Sequence, residues 1–288
     1  MLHFPEPAAE MTMPREQDAP ARSLAQNLFR VDGFGAVVTG AGSGLGLAMA
    51  RVLARNGARV TLADIDEKAV HVAAEQLSEE GGSVRTVVVD VADAEAVEEL
   101  MRGAAAWDGG LQVVFANAGI SSGPGPLRAG GRIEAVDDAQ WQRVLDVNLS
   151  GVLFCIRAAA KVMNSGYGRI VVTSSVAGIR AEPFVGYAYG ASKHGVIGLV
   201  RNAAADLADR GILVNAIAPG VFRTNIAAAA PDREEFLGEL SRAALLGRAA
   251  ETTEIEGLAL FLASPASSYV TGSVLAVDGG ASAARNSL

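Results

Sequence analysis

The stretch "TGAGSGLG", residues 39–46, decides the fold because it joins a short apolar run, "GAVVTG", to a helical pattern, "GLAMARVLARNG". Its glycines at 40, 44 and 46 form a G-x-x-x-G-x-G pattern. Such a turn lets the backbone approach an anion and points the first amides of the next helix at it. Leucine, not lysine, follows Gly46, which argues against a nucleoside-triphosphatase loop. The turn therefore favours a pyrophosphate-binding strand-turn-helix unit.

Six further β-branched runs follow this unit: "ARVTLAD", "VRTVVVD", "LQVVFANAG", "GRIVVTSS", "ILVNAIAP" and "SVLAVDGG". Helical patterns separate them, including stretches at about 139–163 and 189–210. Strands that are apolar throughout and alternate with helices are typical of a parallel sheet covered on both faces. The sequence predicts an α/β fold, a Rossmann-like doubly wound seven-stranded parallel sheet with helices on both faces.

The chain shows no internal repeat and no linker in its middle, so we expect a single domain over residues 31–288. Residues 1–30 are polar and contain several prolines, which predicts a flexible N-terminal extension. This start lacks the continuous apolar segment of a signal peptide. No apolar run reaches the roughly 18 residues that a membrane helix needs.

Composition excludes several classes of function. The formal net charge is -8, whereas a nucleic-acid surface needs clustered Lys and Arg. The single cysteine, Cys155, cannot form an intramolecular disulfide and lies in the apolar "GVLFCIRAAA", where core packing is expected. No Cys/His group has metal-ligand spacing. We expect a cytoplasmic protein without a metal, a nucleic-acid partner or a membrane.

The end of the second predicted strand carries an acid. Asp64 lies twenty residues after Gly44, where a carboxylate accepts hydrogen bonds from an adenosine ribose and repels a 2'-phosphate. Ser43 and Ile65 stand where an NADP enzyme often presents Arg or Lys. The alternative is that Asp64 only ends a strand or begins a turn. Together with the glycine pattern, these residues favour NAD over NADP.

The third and fourth predicted strands also end in residues that suit a dinucleotide. Asp90 and Val91 close "VVVDV", where they can bracket an adenine. Asn117, Ala118 and Gly119 close "FANAG", where small residues let a cofactor lie close to the sheet. Either strand end, taken alone, is also compatible with an ordinary end of a strand.

Two tyrosines precede one lysine in "GYAYGASKHG", residues 186–195. Tyr189 and Lys193 are four apart and share one helix face, whereas Tyr187 is six from the lysine. An ammonium about 4 Å away, at an effective dielectric near 20, lowers a tyrosine pKa by about three units before desolvation opposes it. The spacing therefore predicts Tyr189 as the chemical residue. His194 lies about 100° round the helix from Lys193, which predicts a surface or interface role.

The motifs "TGAGSGLG", "ANAG", "NLSG", "SS", "YGASK", "PGVFRT" and "VDGG" occur in this order over residues 33–281. In this respect the chain resembles a classical short-chain dehydrogenase/reductase. It departs from that family's pattern at Ala116, where an asparagine is usual, and in a loop at 121–136 that is longer than common. The resemblance implies hydride transfer between a nicotinamide cofactor, here NAD, and a secondary alcohol or ketone.

The resemblance also implies roles for a catalytic set. Tyr189 is the general acid/base, and Lys193 both lowers its pKa and hydrogen-bonds the nicotinamide ribose. Ser175 polarises the substrate oxygen, with Ser174 as its neighbour. Asn148, which interrupts a helical run, holds a water that connects Lys193 to solvent.

By the same resemblance, the backbone of Pro219, Gly220 and Val221 contacts the nicotinamide, and Thr224 reaches its carboxamide or a phosphate. The complete predicted cofactor-binding set is Gly40, Ser43, Gly44, Leu45, Gly46, Asp64, Ile65, Asp90, Val91, Asn117, Ala118, Gly119, Tyr189, Lys193, Pro219, Gly220, Val221 and Thr224.

The substrate pocket is predicted from the 121–136 loop, residues 180–187 and the segment from Phe222 onward. The mixed lining, with Glu182, Arg223 and Asn225, fits sugars, cyclic diols, steroids or aryl alcohols about equally. The predicted substrate contacts are Ser175, Arg180, Tyr187, Tyr189 and Phe222.

The resemblance further implies a homotetramer, or a homodimer, paired through the helices at 139–163 and 189–210. A rival function from another class is a cofactor-binding sensor or regulatory protein without turnover. An intact catalytic set argues against the sensor, because sensing alone does not require it.

Overall fold

The computed structural model describes residues 23–107, 109–224, 237–238, 241–242 and 244–283. Residues 1–22 of the predicted extension, and Asn225, lie outside the described residues. Residues 23–30 contain a short helix whose serine cap, Ser23, accepts a hydrogen bond from the Gln26 amide. The domain prediction therefore stays a prediction at its N-terminal boundary.

The described chain forms one seven-stranded parallel sheet in the order β3-β2-β1-β4-β5-β6-β7, which confirms the predicted fold class. The order reverses between β1 and β4, so a crevice opens there at the carboxyl edge, where open α/β sheets bind ligands. The strands are β1 (Gly35–Thr39), β2 (Arg59–Asp64), β3 (Ser83–Val88), β4 (Val113–Ala116), β5 (Gly168–Thr173), β6 (Ile212–Pro219) and β7 (Val274–Val277).

Two apolar cores lie on opposite faces of the sheet, as the doubly wound prediction requires. Neighbouring residues of β1 alternate between them: Val37 belongs to the first core, and Ala36 and Val38 belong to the second core. The helices are α1 (Leu24–Leu28), α2 (Gly44–Arg55), α3 (Glu67–Glu79), α4 (Ala94–Ala106), α5 (Asp138–Leu145), α6 (Gly151–Val162), α7 (Tyr187–Leu207) and α8 (Glu256–Ala263).

The helix predicted at 139–163 differs from the structure. A π-helical turn, Asp146–Ser150, separates α5 from α6. Its Asn148 side chain turns away from its own helix and bonds the backbone of Ile120, 28 residues earlier. A π-turn inside a helix often marks a functional site. The sequence indicated an interruption at Asn148 but not its geometry.

The helix predicted at 189–210 begins two residues earlier, at Tyr187, and ends at Leu207. A 3₁₀ turn then runs to Arg210, and Gly211, with φ of 69°, stops the helix. Tyr187 and Tyr189 therefore both lie in the first turn of α7.

Cys155 is 1% exposed within the first core, which confirms the packing role predicted for it. Burial raises the pKa of its thiol to about 12, so it stays protonated and unreactive. Of the helices in the described part of the chain, none combines the length and apolar character needed to span a bilayer. The described residues also contain no group of three or more His, Cys, Asp or Glu placed to hold a metal ion.

Candidate active site

The turn between β1 and α2 requires glycine at three of its positions. Gly40 and Gly44 have φ of 67° and 57°, which favours glycine. A Cβ on Gly46 would stand 2.0 Å from the Gly40 carbonyl oxygen. Ser43, the exposed N-cap of α2, makes no side-chain capping bond, so its side chain does not occupy the first amides of α2. This cradle fits a pyrophosphate.

Asp64 lies at the end of β2 with its carboxylate fixed against this turn. One oxygen accepts the Gly42 amide at 2.9 Å, and the other accepts the Asp66 amide at 3.0 Å. A Cβ on Gly42 would approach Asp64 Oδ2 to 3.0 Å. The next residue, Ile65, is 58% exposed. The carboxylate thus remains oriented as a hydrogen-bond acceptor beside the phosphate cradle, as a ribose site requires.

The end of β3 presents Asp90 and Val91 differently. Asp90 accepts hydrogen bonds from the Arg143 guanidinium at 3.0 Å and from the Ala92 amide at 2.9 Å. The Val91 side chain is 6% exposed and packs in the first core. An adenine could therefore meet Val91 chiefly through its backbone.

Asn117, after β4, joins three elements. Its side-chain amide donates to the Thr39 carbonyl at 3.0 Å, and its carbonyl oxygen accepts the Thr173 hydroxyl at 3.0 Å. These bonds fix the glycine turn and the end of β5 relative to each other. The following Ala118 backbone comes so close that a Cβ on Gly40 would lie 2.9 Å from it.

The opposite wall of the crevice comes from β6. A Cβ on Gly220 would lie 2.7 Å from Asp278 Cα, so the chain after Pro219 needs glycine there. Val221 accepts the Ala250 amide at 2.9 Å. The Thr224 methyl lies 3.5 Å from where a Cβ of Gly44 would stand, so this wall reaches the glycine turn. Leu45 instead packs against the second core.

Tyr189 and Lys193 lie on one face of α7, with the lysine Nζ 5.6 Å from the centre of the tyrosine ring. Lys193 is 3% exposed and donates to the Thr173 carbonyl at 2.8 Å. Burial lowers the pKa of Lys193 to about 8. A Cβ on Gly119 would come within 3.5 Å of Nζ and 3.3 Å of Asn148 Oδ1, so both groups lie close beside Gly119.

The two serines after β5 have different partners. The Ser174 hydroxyl donates to the Lys193 backbone carbonyl at 2.8 Å and so ties the strand to α7. The Ser175 hydroxyl hydrogen-bonds the Tyr189 phenol. It also accepts the Ala177 amide at 3.1 Å. This geometry supports Ser175, rather than Ser174, as the residue beside the reacting oxygen.

The pKa argument made from spacing needs a correction. Burial raises the pKa of Tyr189 above its usual value, and the hydrogen bond from Ser175 opposes this rise only in part. The reason is where the lysine ends: its ammonium bonds the Thr173 carbonyl and is itself desolvated. Helical spacing fixes the face of a side chain but not the position of its terminal atom.

Asn148 is fully buried in the π-turn. Its side-chain oxygen accepts the Ile120 amide at 2.8 Å, and its nitrogen donates to the Ile120 carbonyl at 2.9 Å. Both bonds fix the start of the loop that follows Gly119. The predicted role in holding a water stays a prediction.

Three of the predicted substrate residues, outside the Ser175–Tyr189 pair, have different surroundings. Tyr187 is half-buried and lines a small open cleft with Ser122, Arg132, Asp137, Gln140 and Trp141. Arg180 pairs with Glu182 at 3.1 Å and donates to the Ala281 carbonyl, so its substrate contact stays a prediction. Phe222 is only 6% exposed and packs in the second core, and we therefore remove it from the substrate set.

His194 is exposed, and its Nδ1 lies 3.0 Å from the Gly190 carbonyl, in agreement with the predicted surface position. Two residues of the site escaped the sequence reasoning. Thr173 accepts the Lys193 ammonium through its carbonyl, and Ser122 contacts the amide of Tyr189. Neither has a sequence signal, because backbone carbonyls and loop serines are common.

A family model described as Enoyl-(Acyl carrier protein) reductase matches residues 40–282. The chain is similar to a galactitol 2-dehydrogenase (L-tagatose-forming) from Cereibacter sphaeroides, with 41% identity over 258 residues, 88% of this chain and 97% of that protein. It is also similar to a cis-4-hydroxycyclohexanecarboxylate dehydrogenase from Sinomonas cyclohexanicum, with 42% identity over 246 residues, 85% of this chain and 95% of that protein.

Among solved structures, one from Beutenbergia cavernae, assigned as an NAD(P)-dependent gluconate 5-dehydrogenase, has NADP bound at low occupancy. It has a TM-score of 0.80 and 39% identity, and the match covers 89% of this chain and 99% of that chain.

Proposed function

The chain belongs to the short-chain dehydrogenase/reductase family, and on this premise we propose that it is an NAD-dependent oxidoreductase that interconverts a secondary alcohol and a ketone. One observation carries the proposal. The Tyr189 phenol bonds Ser175 and lies beside Lys193 at the carboxyl edge of the sheet, where the glycine cradle opens.

NAD held at the glycine cradle would supply the hydride acceptor for alcohol oxidation and, in its reduced form, the hydride for ketone reduction. Tyr189, as phenolate, takes the hydroxyl proton of the alcohol, and as phenol returns it to the ketone oxygen. Ser175 donates to the same oxygen and steadies its developing charge. Lys193 sits next to the ring as a cation below its pKa of about 8. The Asn148 side chain accepts the Ile120 amide and so holds the backbone just before the 121–136 loop.

NAD rather than NADP is supported by Asp64. Its carboxylate is fixed by two backbone amides beside the cradle, and a second anion there would suffer like-charge repulsion. The adjacent Ile65 has an apolar side chain and therefore supplies no positive charge for a 2'-phosphate. A structural relative holds NADP, so the activities of this chain with NAD and with NADP are to be compared directly.

The relatives and the cleft together support a proposal for the substrate class. The two relatives are a dehydrogenase of a polyol and a dehydrogenase of a hydroxycyclohexane carboxylate. The cleft near the start of α7 combines the aromatic rings of Tyr187 and Trp141 with the polar Asp137 and Gln140. Aromatic faces with a few hydrogen-bonding groups suit hydroxylated ligands. We propose a polyol or a hydroxylated ring as substrate.

The test is a panel of polyols, cyclohexanols, diols and aryl alcohols with NAD, followed by the absorbance of the reduced nicotinamide. Turnover of at least one secondary alcohol, with a matching ketone reduced in reverse, is expected. Thermal stabilisation by NAD without turnover of any panel member would favour the rival sensor.

Substituting the two serines separates chemistry from packing. Ser175→Ala should lower kcat by about 10² to 10³, since it removes a donor to the reacting oxygen. Ser174→Ala should instead cost about 1 kcal/mol of folding stability, since it removes a bond to the Lys193 carbonyl. Steady-state kinetics and thermal unfolding of both variants measure the two effects. A larger fall in kcat for the Ser174 variant would reverse the assignment.

We also propose a homotetramer built through α5, α6 and α7. An apolar residue of α6, Leu153, is 41% exposed, as expected for a side chain that a second copy covers. Light scattering should give a mass of four chains. A mass of one chain would contradict the proposal.

A further inference from the structure

The catalytic helix α7 begins without a cap of its own. Its N-cap is Gly186, which has no side chain to bond the amides of the first turn. The first bond within the helix comes from the Gly190 amide to the Gly186 carbonyl at 3.2 Å. The amide of Tyr189, the third helical residue, would normally bond a serine, threonine or aspartate side chain at the N-cap.

Ser122 of the 121–136 loop supplies the missing cap from a distance. Its Oγ accepts the Tyr189 amide at 3.2 Å, although 67 residues separate the two along the chain. Glycine at 186 makes this approach possible. A Cβ there would lie 2.5 Å from Ser122 Oγ and 2.8 Å from the Ser122 carbonyl oxygen.

Further contacts hold the loop against the segment that leads into α7. Pro124 forms an antiparallel bridge with Val185. The Leu127 amide donates to the Pro183 carbonyl at 3.4 Å. A Cβ on Gly125 would lie 2.3 Å from that same carbonyl oxygen, so the two backbones lie in close contact. The position of Ser122 is therefore set by the loop as a whole.

We propose that Ser122 is a positioning residue, which holds the first turn of α7 and so keeps the Tyr189 phenol on the Ser175 hydroxyl. The proposal rests on the oxidoreductase function proposed above. Its reasoning is local, because the capped amide belongs to the residue that carries the phenol. Losing a serine cap weakens the first turn of a helix without unfolding the domain.

Ser122→Ala should lower kcat for alcohol oxidation about tenfold, the equivalent of about 1.4 kcal/mol, with the KM for NAD unchanged. The pH dependence should change as well. The bond from Ser175 lowers the pKa of Tyr189, so weakening it raises that pKa. Oxidation needs the phenolate, so the limb on which the rate rises with pH should move to higher pH. A loss of general stability alone would not move this limb.

Ser122→Thr keeps an acceptor oxygen and should restore most of the rate and the original limb. Ser23→Ala is the matched control. It removes a serine hydroxyl that accepts the Gln26 amide at 3.3 Å at the start of α1, outside the site. It should leave the rate and the limb unchanged.

Hydrogen exchange of the Tyr187–Tyr189 amides gives a readout that does not depend on turnover. Exchange should speed up in Ser122→Ala and return toward the original rate in Ser122→Thr. Unchanged exchange, or an unchanged kcat and limb, overturns the positioning role. Failure of the proposed function appears differently, as a wild-type chain that turns over no panel alcohol whatever its exchange rates.

Discussion

Replacing Tyr189 by phenylalanine should lower kcat for alcohol oxidation by about 10³ to 10⁴, since general acid/base catalysis contributes up to that magnitude. The substitution removes one hydroxyl from a partly buried ring and leaves Lys193 on the Thr173 carbonyl. Cofactor affinity should therefore stay near that of the wild type. Steady-state kinetics and NADH titration by fluorescence measure the two quantities. A variant that retains most of its turnover would refute the role of Tyr189.

Tyr187→Phe is the natural comparison, because it removes the same hydroxyl two residues away. Tyr187 lines the cleft formed with the 121–136 loop and lies about 200° round the helix from Tyr189. Its loss should act on the KM for the alcohol rather than on kcat. A large fall in kcat in this variant would mean that the two tyrosines were assigned in the wrong order.

Changing the end of β2 should alter cofactor preference by about three orders of magnitude. Asp64→Ala combined with Ile65→Arg removes a fixed carboxylate and adds a guanidinium that can bond a 2'-phosphate, together worth about 4 kcal/mol. The ratio of kcat/KM for NADP to that for NAD should rise by about 10³. Kinetics with both cofactors and one alcohol measure it.

Asp64→Asn is the matched control for this pair. It removes the charge but keeps an oxygen for the Gly42 amide, which Asp64 accepts at 2.9 Å. The glycine turn should keep its shape, and the ratio should rise by a smaller factor than in the double variant. An unchanged ratio in both variants would count against the assignment of Asp64 to the ribose.

The parts of the fold that follow from periodicity were predictable. Apolar strands, the glycine turn and the intervening helices specify a doubly wound sheet, and the order of the strands confirms it. The π-turn at Asn148 was not predictable in shape. It depends on two bonds to Ile120, and no local pattern encodes a partner 28 residues away.

The site shows the same division. Helical spacing selected Tyr189 over Tyr187, and the pairing of Ser175 with Tyr189 supports the choice between the serines. Spacing could not place the Lys193 ammonium, which bonds Thr173, or show that Phe222 turns into the core. Both depend on where a side chain ends after packing. The contact of Ser122 with the Tyr189 amide depends on the path of a long loop.

The bonds of the Asn117 amide have a thermodynamic consequence for ligand binding. They join the glycine turn to the end of β5 through the protein's own groups. The conformational entropy of ordering these segments is therefore lost when the chain folds, not when a dinucleotide arrives. Preorganisation of this kind leaves more of the gross interaction energy as affinity. The cost falls on the folding equilibrium, where a domain has only about 5–15 kcal/mol to spare.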